Sequence, residues 1–244
     1  VAHLAFRWYY YGELVPNTYL LKVAGIPAYY RIRNGIGYSL PLLSSILVPL
    51  AAVLYGVVRK FERETALLLA LVLLALLTTV LSGGDAWPYW RMTAAVMPLL
   101  AIACAAVLAP QLAARSPQRW AMPVGASLVA LQLVVMNYRF LPEMSLLKPA
   151  FNTEHHAGMV ATAVALNRIA RGDAVIAVTW AGIIPYYTGL YAVDMLGKND
   201  KYIATLPPLL NVDGVGLNHY RPGHNRYDLN YSIAAKMPDY FQTY

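Results

Sequence analysis

A chain of 244 residues with 59% hydrophobic and only 13% charged residues, and a mean hydropathy of +0.46, is too apolar for an ordinary soluble protein, so a membrane is its natural solvent. The formal charge is +7, but the basic residues are scattered and form no phosphate-tracking stripe. That pattern excludes nucleic acid and leaves anionic lipid as the electrostatic partner. A single cysteine, Cys104, lies in an apolar run, which excludes a disulfide framework or a Cys-based metal site built from this chain alone.

The chain opens in what reads as structured protein, with no charged leader or cleavage site, and it reads as an internal fragment of a longer protein. Residues 1–36 form a membrane-interface segment. Within it, Phe6-Arg7-Trp8-Tyr9-Tyr10-Tyr11-Gly12-Glu13-Leu14-Val15-Pro16-Asn17-Thr18-Tyr19 sets aromatics beside a carboxylate, an amide and a hydroxyl. Aromatics at this density suit the headgroup zone, where ring and polar tip are both satisfied. The segment is either a plain anchor or a surface on which Glu13, Asn17 and Lys22 face a lipid-linked substrate.

Residues 37–137 form the apolar region, with four stretches that approach the length needed to cross a bilayer. They run from Gly37 to Val58, Ala66 to Leu81, Met92 to Ala114 and Trp120 to Asn137. Pro41, Pro49, Pro98, Pro110 and Pro123 are expected to kink or end these helices. Arg59, Lys60, Arg63, Arg115 and Arg119 crowd one side, whereas the loop between the second and third spans carries only Arg91. The first side is therefore cytoplasmic, and the amino-terminal segment, that loop and the carboxyl-terminal domain share the outer face. The loop, Gly83-Gly84-Asp85-Ala86-Trp87-Pro88-Tyr89-Trp90-Arg91, holds a carboxylate and a guanidinium six residues apart. Asp85 and Arg91 either contact a phosphate or a metal, or pair with each other.

Residues 138–244 change to mixed α/β character. Asn152 or Thr153 caps a helix running through Ala161 to Arg171, and Gly172-Asp173 leads into a strand at Ala174 to Trp180. A short helix at Ile183 to Gly189, a strand at Tyr191 to Met195, a polar turn at Gly197 to Asp200 and a helix over Tyr227 to Lys236 follow. Strands alternating with helices predict a small parallel sheet. The fold class is thus an α-helical transmembrane bundle followed by a small α/β extracytoplasmic domain.

Two features in this domain carry candidate chemistry. Tyr220-Arg221-Pro222-Gly223-His224, preceded by His219, puts two imidazoles and a guanidinium in a turn, as an anion or leaving-group site requires; such residues are also common on plain surfaces. Asp194 ends a predicted strand, where α/β sheets place functional carboxylates, or else caps the following turn. His155 and His156 are adjacent and point apart on a helix, so they do not chelate one ion together. No metal ligand is assigned, and no cofactor, although a divalent cation is compatible with the chemistry. The chain contains no nucleophile-elbow, Walker, dinucleotide or zincin motif.

Three ordered pieces carry a resemblance: Tyr10-Tyr11-Gly12-Glu13-Leu14-Val15-Pro16-Asn17-Thr18-Tyr19; Gly83-Gly84-Asp85 followed by Arg91; and the tail with Ile184-Pro185-Tyr186-Tyr187-Thr188-Gly189, Asp194-Met195-Leu196-Gly197 and Arg221-Pro222-Gly223-His224. Together they resemble polytopic bacterial glycosyltransferases of the GT-C type, the group of mycobacterial terminal arabinofuranosyltransferases and flagellar motor control protein-like relatives. The resemblance implies transfer of a sugar, arabinofuranose among the candidates, from a polyprenyl-phosphate donor to a cell-envelope glycan or lipid acceptor. It places the enzyme in the bacterial inner membrane, multi-pass, with the carboxyl-terminal domain outside the cytoplasm. It also implies that the general base lies upstream of this chain. Glu13 and Asn17 would position sugar or acceptor, Asp85 and Arg91 would stand beside the donor phosphate, and Arg221 and His224 would be external contacts; Glu13 replaces the Asp frequent among relatives. A lipid or solute transporter and a non-catalytic assembly factor are the alternatives. The apolar stretches carry no Asp, Glu, Lys or His, which counts against transport.

Overall fold

The computed structural model describes residues 2–113, 140–210 and 220–242, with isolated positions between 127 and 138. The fourth apolar stretch, its flanking Arg115 and Arg119, and His219 lie outside the described residues. The chain divides into two compact units, residues 1–27 with 150–244, and residues 28–149. The amino-terminal aromatic segment thus shares a unit with the α/β segment.

The first unit begins with α1 (Ala2–Tyr11) and α2 (Asn17–Lys22). No residue of α1 is buried: Trp8 is 62% and Tyr9 89% exposed. Gly12 ends α1 in the left-handed conformation that a glycine tolerates without strain (φ +67°).

The second unit contains α3 (Ala28–Arg59), α4 (Arg63–Leu81) and α5 (Met97–Ala113). α3 begins nine residues before the expected span and passes through Pro41 and Pro49 without ending. Helices so apolar gain little from binary patterning, so close packing decides their contact. Leu42, Ile46 and Val53 of α3, Leu69, Val72 and Leu76 of α4, and Leu100 and Ala103 of α5 form one buried cluster. Small residues bring the backbones together: a Cβ on Gly35 would lie 2.6 Å from Val80 Cα, and one on Gly56 2.5 Å from Val107 Cγ1. By length and composition, α3 and α4 are helices capable of crossing a membrane. α5, with 17 residues, is shorter than the expected third span because Met92 to Val96 is occupied by turns and a 3-10 turn.

The α/β segment returns the chain to the first unit. It comprises α6 (Thr153–Ile169), β1 (Val175–Val178), α7 (Ile183–Thr188), β2 (Tyr191–Asp194), α8 (Lys201–Thr205) and β3 (Tyr240–Phe241). The strands form a wholly parallel sheet of order β2-β1-β3, with Val178 opposite Asp194 and Ala177 opposite Phe241. Alternation along β1 sends Ile176 and Val178 to one face, against Met159 and Ile184, and Ala177 to the other with Val193 and Met195.

Local chemistry departs from expectation at two helix ends. Asn152 sits in the left-handed region (φ +64°) with no side-chain cap, and Thr153 Oγ1 donates backward to Ala150 O at 2.7 Å, so neither residue caps α6. The helix expected over Tyr227 to Lys236 is a π-helix over Asn230–Ala235, with Lys236 N donating to Tyr231 O five residues back.

Candidate functional site

In an open parallel sheet the carboxyl ends of the strands all point to one edge, where loops gather backbone and side-chain groups. Here that edge carries Thr179-Trp180 after β1, the Asp194 to Asp200 turn after β2 and Gln242 after β3. Gln242 Oε1 accepts from Thr179 N at 3.1 Å and Trp180 N at 3.2 Å, which ties the two loops together.

The turn after β2 is built by Asp194. Its buried carboxylate accepts from Leu196 N at 3.0 Å and Asn199 N at 2.7 Å. Gly197 adopts φ +74°, and any Cβ there would press to 2.8 Å from Ala204 N, so the position requires glycine. The result is that Lys198 is presented above the sheet edge. Asp194 therefore acts as the turn cap, one of its two expected roles, and reaches the site only through Lys198.

Around Lys198 the side chains converge. Its ammonium lies 5.6 Å from the Trp180 ring centroid and 3.4 Å from His224 Nε2. The His224 ring is 6.0 Å from Trp180, and His155 meets the same indole at 5.8 Å. Nδ1 of His224 is 3.0 Å from Pro222 O, an arrangement in which Nδ1–H donates and Nε2 is left to accept from Lys198. Lys22 runs past Gly223, where a Cβ would stand 3.8 Å from its Cγ and Cε. Burial, and then the charges of Lys198, Arg221 and Lys22, push the His224 imidazole down to about 4, against the opposing pull of the Pro222 carbonyl.

The amino-terminal residues are held to this edge by directional bonds. Asn17 Nδ2 donates to Lys198 O at 3.3 Å, and Tyr220 OH donates to Lys22 O at 2.8 Å. Glu13 pairs with Lys201 rather than with a residue of the cationic group. Arg226, 3% exposed, donates to Ala204 O at 2.7 Å and to Ala24 O.

Residues 148–244 match a family model described as a domain of unknown function, DUF8728. No curated protein and no solved structure matches the chain. The matched stretch takes in the whole sheet, Trp180, Lys198, Arg221 and His224, whereas Lys22, Asn17 and Glu13 come from the segment before it.

Six of the eight sequence-derived residues thus lie in the first unit: Lys22, Arg221 and His224 in the cationic group, Asn17 and Asp194 shaping it, and Glu13 at its margin. Asp85 and Arg91 belong to the second unit. There the Asp85 side chain, 2% exposed, accepts from Arg91 Nε, from Arg91 Nη2 at 3.2 Å and from Ala86 N at 2.9 Å. The loop is anchored by Asn34, which donates to Gly83 O at 2.7 Å, and by Trp90 Nε1, which donates to Tyr38 O at 2.9 Å. Among the described residues no group of three or more His, Cys, Asp or Glu is placed to hold a metal ion.

Sequence reasoning missed Lys198 and Trp180. The signal available was position alone: both lie in the loops after strands, at the ends where parallel sheets collect ligand contacts.

Proposed function

We propose that this chain is part of a GT-C type membrane glycosyltransferase that moves a sugar from a polyprenyl-phosphate donor to a cell-envelope glycan or lipid acceptor. In this reading α3 and α4 cross the bacterial inner membrane, and the α/β unit works outside the cytoplasm on lipid-borne phosphate. The observation that carries it is the cationic group Lys22, Lys198, Arg221 and His224 gathered beside Trp180 at the carboxyl edge of the sheet. Such a group suits a phosphate, because several donors converge from a rigid frame, and the Asp194 carboxylate in the Lys198 turn is taken up by backbone amides.

The chemistry assigned to these residues is charge stabilisation. When the bond from the anomeric carbon to phosphate oxygen breaks, the electron pair stays on the phosphate, and Lys198, Lys22 and Arg221 offset the added charge. Trp180 offers an apolar face against which a sugar ring or isoprenoid methylenes pack. The base that takes the acceptor proton is not assigned to a residue of this chain. The Asp85–Arg91 pair balances its own charge, so the phosphate is given to the Lys198 group.

The test is transfer by the full-length protein in nanodiscs, using polyprenyl-phosphoryl sugars and a glycan acceptor. Loss of one charge-assisted contact costs about 1.5–3 kcal/mol, so Lys198→Met and Arg221→Met should each slow transfer about tenfold or more. No transfer with any donor, while a protein partner co-purifies, would replace the enzyme with an assembly factor.

A further inference from the structure

His224 is the one member of this group whose ordinary titration lies near neutrality, although burial and the neighbouring cations hold it at about 4, and each of its ring nitrogens faces a neighbour. Nδ1 faces Pro222 O and Nε2 faces the Lys198 ammonium. Lys198 comes from the turn after β2, Lys22 from α2 and Arg221 from the same loop as the imidazole, and all three act on the ring to lower its hold on a proton. From α6, His155 packs against Trp180, whose ring also meets the His224 imidazole. Burial, and then the surrounding positive charge, therefore keep the imidazole neutral.

We infer that a phosphate monoester entering this site brings a proton onto His224, so that the site senses the charge of the phosphate it holds. The inference rests on the phosphate reading above. An imidazole with its Nε2 turned toward Lys198 becomes a second donor once an anion lies between them, because the anion replaces repulsion by attraction for both. One negative charge about 5 Å away raises a group's affinity for a proton roughly 10- to 100-fold at protein-surface dielectric. Starting from about 4, a monoester dianion therefore carries the ring into the neutral range, whereas a diester, with one charge, carries it only part of the way. In the proposed reaction the lipid phosphate changes from diester to monoester, so His224 follows the charge that the leaving group acquires.

The experiment is calorimetric titration of the full-length protein in nanodiscs near pH 6.5, in buffers of different ionisation enthalpy, which yields protons taken up per ligand bound. The probes are citronellyl phosphate, inorganic phosphate and, as a single-charge control, dimethyl phosphate. Wild type should take up about half a proton more than His224→Gln with citronellyl phosphate or inorganic phosphate, both of which supply a dianion, and clearly less with dimethyl phosphate. Subtracting the variant cancels the ligand's own proton. Lys198→Met, whose imidazole starts with one repelling cation fewer but stays buried, should take up no fewer protons per bound ligand than wild type. Tighter binding of citronellyl phosphate than of inorganic phosphate identifies the ligand as lipid-borne; equal binding identifies free phosphate. Binding with equal uptake in wild type and His224→Gln overturns this inference and leaves the phosphate site standing. No binding of any probe overturns both.

Discussion

Arg226 is the most informative residue to perturb, because two opposing terms of similar size meet in it. Its guanidinium is 3% exposed and donates to Ala204 O at 2.7 Å and to Ala24 O. Burial lowers its basicity, and its Nε is buried without a hydrogen-bond partner. Arg226→Met removes two charge-assisted bonds worth about 1.5–3 kcal/mol each. It also recovers part of a desolvation penalty of several kcal/mol, which argues the other way. The bonds should win, because the carbonyls of Ala24 and Ala204 stay behind in an interior that methionine fills but does not satisfy. A net loss of about 3 kcal/mol follows, or about 10 °C in Tm for a unit of this size. Ala24 lies two residues after α2, so the same change should release that helix and expose Lys22 to trypsin. Arg226→Lys, with a single ammonium in place of a fork, should recover about half of the loss. Thermal unfolding of the detergent-purified protein, with limited proteolysis beside it, measures both effects. A Tm for Arg226→Met within about 2 °C of wild type, with Lys22 still protected, would refute the assignment of Arg226 as the tie between the two segments.

Three further outcomes are expected. Stability of the first unit should fall as pH drops from about 6.5 towards 4, because the unfolded chain binds a proton at position 224 that the native state, with its imidazole lowered to about 4, refuses. After allowance for solvent screening the loss is about 2 kcal/mol, and His224→Gln should flatten that part of the pH–Tm curve. In the second unit Arg91→Ala should cost more than Asp85→Ala, about 3–4 against about 2 kcal/mol, because the first strips the guanidinium from a carboxylate 2% exposed while the second leaves a guanidinium 62% exposed to water; denaturant unfolding showing the reverse order would contradict the pairing described. Gly35→Leu should destabilise the helical unit by about 2–3 kcal/mol, since its Cβ would meet Val80 backbone, whereas Gly37→Leu, with nothing within 4 Å, should be close to neutral in the same measurement.

Much of the local structure was legible before any coordinates. The apolar runs at Gly37 to Val58 and Ala66 to Leu81 announce α3 and α4, because a helix is the only way such stretches satisfy their backbone away from water. The strand–helix–strand rhythm from Ala174 to Met195 announces β1, α7 and β2. Arg221 and His224 stood out because proline and glycine between them restrict the backbone. The errors fell where side-chain chemistry is ambiguous. Asn152 has the residue type of a cap but turns left-handed, and the carboxyl-terminal helix closes its hydrogen bonds five residues back, in the wider turn of a π-helix.

Composition by itself decided the preference for a membrane-like solvent and the period of each element, since both depend only on which residues are apolar and how they are spaced. The partners of the polar residues were settled by tertiary structure, because hydrogen bonds and ion pairs join groups distant in sequence. Glu13 meets Lys201, Asn17 meets Lys198, and Tyr220 meets Lys22, each across more than 180 residues. Lys198 is unremarkable as one lysine in a polar turn; it becomes the centre of a cationic group only when β2 delivers that turn beside Trp180 and the 220–224 loop folds over it.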